Sequence, residues 1–223
     1  VVAEQGTTPV RRGGYHHGNL RRALLDAGWD LVAEDGPDAL TLRAVARRAG
    51  VSHGAPAHHF PDKAALVEAM AVEGWDRFAE ALAQAWAGTD GTPRDGRLAA
   101  VGAAYVRFAA AHPHAFRLMN RPELRSDTGG VVASAARRCR DVLTTAILAC
   151  QDDGMIPAGD PAPWAMLCWS GVHGLAMLAI DGLIELLPGG ERGLEATTAV
   201  VLEAMGHGLM VRATPSDPSG TLS

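Results

Sequence analysis

Between Thr41 and Phe60 the chain reads TLRAVARRAGVSHGAPAHHF, where hydrogen-bonding side chains alternate with residues too small to obstruct them. His53 and His58 carry ring nitrogens, and Gly54, Ala55 and Ala57 lie between them with little or no side chain, so this backbone can approach a groove closely. Thr41, Arg43, Ser52 and Lys63 supply hydroxyls and positive charges suited to phosphate oxygens, contacts that position a protein on a duplex without reading sequence. Base edges would be met by His53 and by the backbone and methyl groups around Gly54, Ala55 and Ala57, with His58 either reading or positioning. Such a segment suits double-stranded DNA.

Metal and catalytic readings fare worse. His53, His58 and His59, or His112 and His114, lack the cysteine or carboxylate that would complete a tetrahedral set. His58 and His59 also point about 100° apart on a helix. No nucleophile elbow, phosphate-binding loop, dinucleotide fingerprint or paired Glu-x-x-His helix is present, so no catalytic residue, metal or cofactor is expected. A second constellation is Trp169-Ser-Gly-Val-His173-Gly174, in which Trp169 and His173 share a helix face. Three readings stay open for it. The pair is core, with the imidazole bonded to a backbone carbonyl; or it makes a dimer contact; or Phe108, Phe116, Met119, Trp164, Trp169 and His173 line an apolar cavity with one polar anchor.

Helices must position both groups. Leu42, Val45, Ala46 and Ala49 recur at helical spacing, with Thr41 as N-cap and Gly50 as the stop; Ser52 is then placed to cap a second helix carrying Pro56 in its first turn. Ahead of this pair, Leu20, Leu24, Ala27 and Leu31 stripe a helix that Asn19 can cap and that ends near Asp35 and Gly36. Further helices are expected at about 62–87, 93–111, 112–119, 131–152, 161–187 and 190–213, separated by glycine and proline breaks. No strand alternation or repeat is present, so the fold class is all-α, with a head at 15–61, a larger body at 62–213, and flexible tails at 1–14 and 214–223.

The run Thr41, Ala46, Ala49, Gly50, Val51, Ser52, followed by His59, Phe60 and Lys63, resembles the N-terminal pattern of the TetR family of bacterial transcriptional regulators. The lead-in Tyr15–Leu25, YHHGNLRRALL, is similar to that family's first helix, and the likeness runs from about Tyr15 to Leu66. More loosely, the Trp169–Gly174 segment, with YVRFA and HPHAFRLM, resembles a C-terminal subgroup carrying W-x-x-x-H-G. The resemblance implies a three-helix head on a helical ligand-binding body, a homodimer whose last two helices pair with their counterparts as a four-helix interface, and a repressor released from a palindromic operator by a small apolar ligand. The family commonly has an aromatic, usually Tyr, where this chain has Ala57, which removes one customary phosphate contact. The runner-up is a helical small-molecule-binding or protein-interaction module that does not bind DNA.

Composition is compatible with this. The 223 residues are 48% apolar, enough for a core, and the net charge of −5 excludes a wholly basic nucleic-acid coat. Residues 1–63 hold eight basic and seven acidic side chains, against twelve and eighteen in the rest, so affinity must come from a few phosphate contacts and from dimerisation, and salt should weaken it steeply. Cys139, Cys150 and Cys168 are odd in number and lie in apolar helical settings, as buried reduced thiols do. The residues at 1–14 contain no apolar run, and the apolar stretch from Trp164 to Ile180 is short and without flanking Lys or Arg. A cytoplasmic protein is therefore expected, without membrane insertion and with that stretch buried in protein on most sides.

Overall fold

A computed structural model describes residues 17–89, 94–125, 130–187 and 189–209. Tyr15, the two tails at 1–14 and 214–223, and the end of the helix expected to reach residue 213 lie outside the described residues. All regular structure among the described residues is helical: α1 His17–Asp35, α2 Leu42–Arg48, α3 Lys63–Ala87, α4 Arg94–Ala111, α5 Pro113–Met119, α6 Val131–Asp152, α7 Ala162–Ile180 and α8 Leu194–Leu209, with short 3-10 turns between. Contacts divide the chain into two units that meet within α3, at Leu66 and Val67.

In the first unit, the apolar stripe of α1 buries Leu24, Ala27 and Leu31, while Leu20 is half-buried. Leu40, Val45, Ala46, Phe60 and Leu66 complete this small core. Asn19 lies inside α1, which starts at His17, so the expected cap position is not that helix's N-terminus. The guanidinium of Arg48 pairs with the carboxylate of Glu34 and ties α2 to α1. The Arg48 hydrogen bond, followed by its charge, holds the exposed Glu34 carboxyl below the usual carboxylate range.

The second unit is built on aromatic packing. Phe78 of α3 is fully buried, with Tyr105 and Phe108 of α4 both 4.8 Å away between ring centroids and Phe116 of α5 at 5.9 Å. The indole N–H of Trp75 donates to the Met119 carbonyl at 3.1 Å, which satisfies a polar group that would otherwise be stranded in this core. On α6 the buried residues Val132, Ala136, Cys139, Leu143, Ala146 and Cys150 recur every three or four positions, the signature of a helix with one core face.

Two boundaries differ from the expected ones. α7 stops at Ile180 rather than running to Leu187, because Gly182 adopts φ +67° and lets the Leu183 N–H reach back to the Leu178 carbonyl at 2.8 Å. α8 begins at Leu194, after a 3-10 turn at Gly190–Arg192 where a longer helix was expected. The larger difference is in burial. Only 22% of the apolar window of α7 is buried in the chain, through Cys168, Val172, Leu175 and Ala176, while Met166 and Leu167 stand 67% and 51% exposed. The body core meets α7 on one side only, so the expected burial on most sides is not achieved within a single chain.

Candidate functional site

Thr41 sits in extended backbone at the head of α2, and its Oγ1 accepts from the Ala44 N–H at 3.0 Å. That bond uses the oxygen as acceptor and leaves the hydroxyl hydrogen to donate outward. α2 then ends on Gly50 at φ +68°: the Gly50 N–H donates to Arg47 and the Val51 N–H to Ala46, at 3.2 and 3.0 Å. These bonds satisfy two terminal carbonyls and turn the chain sharply.

The second element of the pair is tighter than the α-helix expected. Ala55–His58 is a 3-10 turn, its N-cap Gly54 makes no side-chain cap bond, and Ser52 contributes its backbone carbonyl, to Ala55, rather than capping with its hydroxyl. Pro56 accounts for this. It has no N–H to donate, so the bonds are those of Ala57 to Gly54 and of His59 and Phe60 to Pro56, closing one compact turn. The same proline is buried, as is Phe60, and Arg21 lies over the Phe60 ring at 5.3 Å. Ser52, His53, Gly54, Ala57 and His58 are thereby left exposed on the opposite side. Thr41 and Arg43 are exposed as well, and so is Lys63 at the start of α3, whose first turn is capped by Asp62 accepting from Ala65 at 2.8 Å. This surface can offer hydroxyl, imidazole and cationic donors without a side chain larger than a methyl at Gly54 or Ala57.

In the body unit there is a partly open cavity of about 70 Å³. α4 contributes Val101, Gly102 and Tyr105; α6 brings Cys139, Leu143 and Cys150. α7 and α8 close it with Cys168, Trp169, Leu202 and Met205. Of the residues expected to line a pocket, Trp169 does so. Phe108, Phe116 and Met119 lie instead around Phe78 and Trp75, Trp164 packs on the cluster of Leu143, Ile147, Cys150, Ile156 and Cys168, and His173 stands behind the wall. The His173 Nδ1 and the Tyr105 hydroxyl are 2.9 Å apart, which gives the imidazole a phenol as hydrogen-bond partner. Tyr105 is not among the residues expected to line a pocket, although it is one of only two tyrosines and falls on the apolar stripe of α4, where a hydroxyl stands out.

Burial pushes the Cys139 thiol up to about 12 and the Cys168 thiol up to about 11, and it also raises the Tyr105 phenol. All three groups are therefore neutral at pH 7. Because alkylation proceeds through the thiolate, iodoacetamide at pH 8 should modify Cys139 and Cys168 about a hundredfold more slowly than an ordinary cysteine. Mass spectrometry before and after unfolding in guanidinium would measure this. Rapid modification of the folded protein would contradict the burial described.

Residues 24–70 match the family model for bacterial regulatory proteins of the tetR family, and residues 98–205 match the tetracyclin repressor-like C-terminal domain. The HTH-type transcriptional regulator BetI of Klebsiella pneumoniae is 42% identical over 64 residues, 29% of this chain and 28% of that protein. The HTH-type transcriptional repressor Rv1474c of Mycobacterium tuberculosis is 42% identical over 64 residues, 29% of this chain and 34% of that protein. The matched part thus spans about a third or less of these curated relatives. Among solved structures, a protein with unknown function from Rhodococcus sp. RHA1 is similar over 88% of this chain and 98% of its own, at 34% identity and a TM-score of 0.76. FadR from Bacillus subtilis, in complex with stearoyl-CoA, shares the fold at a TM-score of 0.65 and 17% identity, over 84% of this chain and 98% of its own.

Proposed function

Because the chain belongs to the TetR family of bacterial regulatory proteins, we propose that it is a DNA-binding transcription regulator, a homodimeric repressor that holds a palindromic operator until a small apolar ligand enters its body. The observation that carries this reading is the exposed turn Ser52–His58, held from beneath by Pro56 and Phe60 and flanked by cationic and hydroxyl donors. His53 meets a base edge, with Gly54, Ala55 and Ala57 giving room for the approach and His58 reading or positioning. Thr41, Arg43, Ser52 and Lys63 meet phosphates. Repression rather than activation is carried over from the Mycobacterium tuberculosis relative, which is named a repressor.

Dimerisation supplies what one short turn cannot. A single head reads a few base pairs; two related by a twofold axis read two half-sites and roughly double the binding free energy. The exposed faces of α7 and α8 are the surface for it, and a second copy there accounts for the apolar side of α7 without a membrane. The protein then works in the cytoplasm and needs no catalytic group. Release comes from a population shift: a ligand that binds the two states of the dimer unequally favours a head spacing unsuited to successive major grooves.

Selection of bound fragments from the source genome, followed by gel shift, tests this. A palindromic consensus should emerge, and His53→Ala should relax its preference and cost about 1–3 kcal/mol at the position contacted. Retention of no specific fragment by the dimer would sink the proposal.

A further inference from the structure

The body cavity carries no formal charge anywhere in its lining. Of its residues only Tyr105 brings a hydroxyl; the remainder are aliphatic side chains, glycines, methionines, three thiols and the Trp169 indole, with no Lys, Arg, His, Asp or Glu among them. Cys139, Cys168 and Tyr105 keep their protons at neutral pH. A carboxylate or phosphate entering this space would shed its water and find no cation to replace it, a penalty that apolar contact does not offset.

Resting on the reading that this cavity is the effector site, we propose that its ligand is an uncharged, mainly hydrocarbon molecule bearing a single oxygen function, an alcohol, phenol or ketone, hydrogen-bonded to Tyr105. The bond between Tyr105 and His173 makes that hydroxyl adaptable. When the phenol donates to Nδ1, its oxygen can accept from a ligand hydroxyl; when Nδ1 carries the hydrogen and donates, the phenol O–H can turn to a ligand carbonyl. Tyr105 is held for this role by Phe78, Phe116 and Trp169, all packed edge-to-face on its ring. The walls can adapt to a ring-sized guest, since Leu98 and Met155 are only partly buried and Met205 reaches across to Gly171, where a Cβ would lie 2.5 Å from its terminal methyl.

Four probes of one size class test the proposal on the full-length protein by calorimetry at pH 7: toluene, benzyl alcohol, acetophenone and benzoate. Benzyl alcohol and acetophenone should bind about five- to tenfold more tightly than toluene, as one neutral hydrogen bond allows, and benzoate at least about a hundredfold more weakly than benzyl alcohol. Tyr105→Phe should erase the advantage of the two oxygenated probes and leave toluene within about twofold. Leu98→Lys should admit benzoate with a gain of at least about tenfold, which misfolding would not produce. Benzoate binding as well as benzyl alcohol in the wild type, an undiminished advantage in a folded Tyr105→Phe, or no binding of any neutral probe would each overturn it.

A parallel gel shift with the selected operator separates this idea from the one beneath it. Neutral probes that bind with this selectivity but leave the operator complex intact would remove ligand release and leave the ligand class standing. Probes that release the operator without such selectivity would do the reverse.

Discussion

Leu167→Glu is expected to leave the protein folded but monomeric, and to lower operator affinity by at least about a hundredfold, because the two half-sites would no longer be engaged by one linked pair of heads. The cause lies in the two sides of α7. Its core-facing stripe, Cys168, Val172, Leu175 and Ala176, is already satisfied within the chain, yet Leu167 and Met166 stand half or more exposed on the other side. Val200 of α8 is 46% exposed, and the exposed positions Ser170, Gly174, Ala196, Ala199 and Ala204 are small enough for helices of two copies to approach closely. A glutamate at 167 would place a charge in that seam next to its symmetry mate, where neither has a partner. Sedimentation equilibrium and a gel shift at matched concentrations measure both effects. Leu148→Glu, also at an exposed apolar position but on α6, should stay dimeric and bind normally. A dimeric Leu167→Glu with intact operator affinity would move the interface elsewhere.

The same helix explains part of what is legible in the sequence and what is not. The apolar pattern of Trp164–Ile180 announces a helix but not how many of its sides one chain can cover, because a face reserved for another copy and a face buried in the core use the same residues. Local signals are more direct. Thr41 caps α2, Gly50 ends it and Pro56 occupies the first turn beyond, since each acts through bonds within a few residues. Even so, the pattern does not reveal the shortening of the second helix to a 3-10 turn, because the missing N–H of Pro56 weighs more in a segment of four residues than in a long helix.

The pocket is harder still. Phe108, Phe116 and Met119 have the composition of a lining, and which side of α4 and α5 meets empty space depends on how Phe78 and Trp75 fill the neighbouring volume. The cysteines sort no better from sequence, as small apolar thiols suit a cavity wall and a close-packed core equally. Only Tyr105 offers a distinguishing mark, a hydroxyl on an otherwise apolar stripe. Its weight emerges once His173, 68 positions later, is found within hydrogen-bonding distance.

The other large effect is expected at Gly50. A side chain built there meets nothing within 4 Å, so any penalty is purely one of backbone conformation, at φ +68°. Valine is strongly disfavoured in that left-handed region, by about 2–3 kcal/mol. The free Gly50→Val protein would relax to negative φ, giving up the bonds from Gly50 and Val51 to the end of α2 and swinging the Ser52–His58 turn away from its place. Operator binding must restore the turn in both protomers, so the penalty counts twice and affinity should fall by more than about a hundredfold. Asparagine, which tolerates this conformation, should lose far less, and alanine should fall between. Because the cavity lies wholly in the other unit, neutral-probe binding should be unchanged in all three variants. A gel-shift ranking of Gly above Asn, Ala and Val in that order is the expected result; a valine variant that binds the operator like the wild type would show that the turn after Gly50 does not present the reading surface.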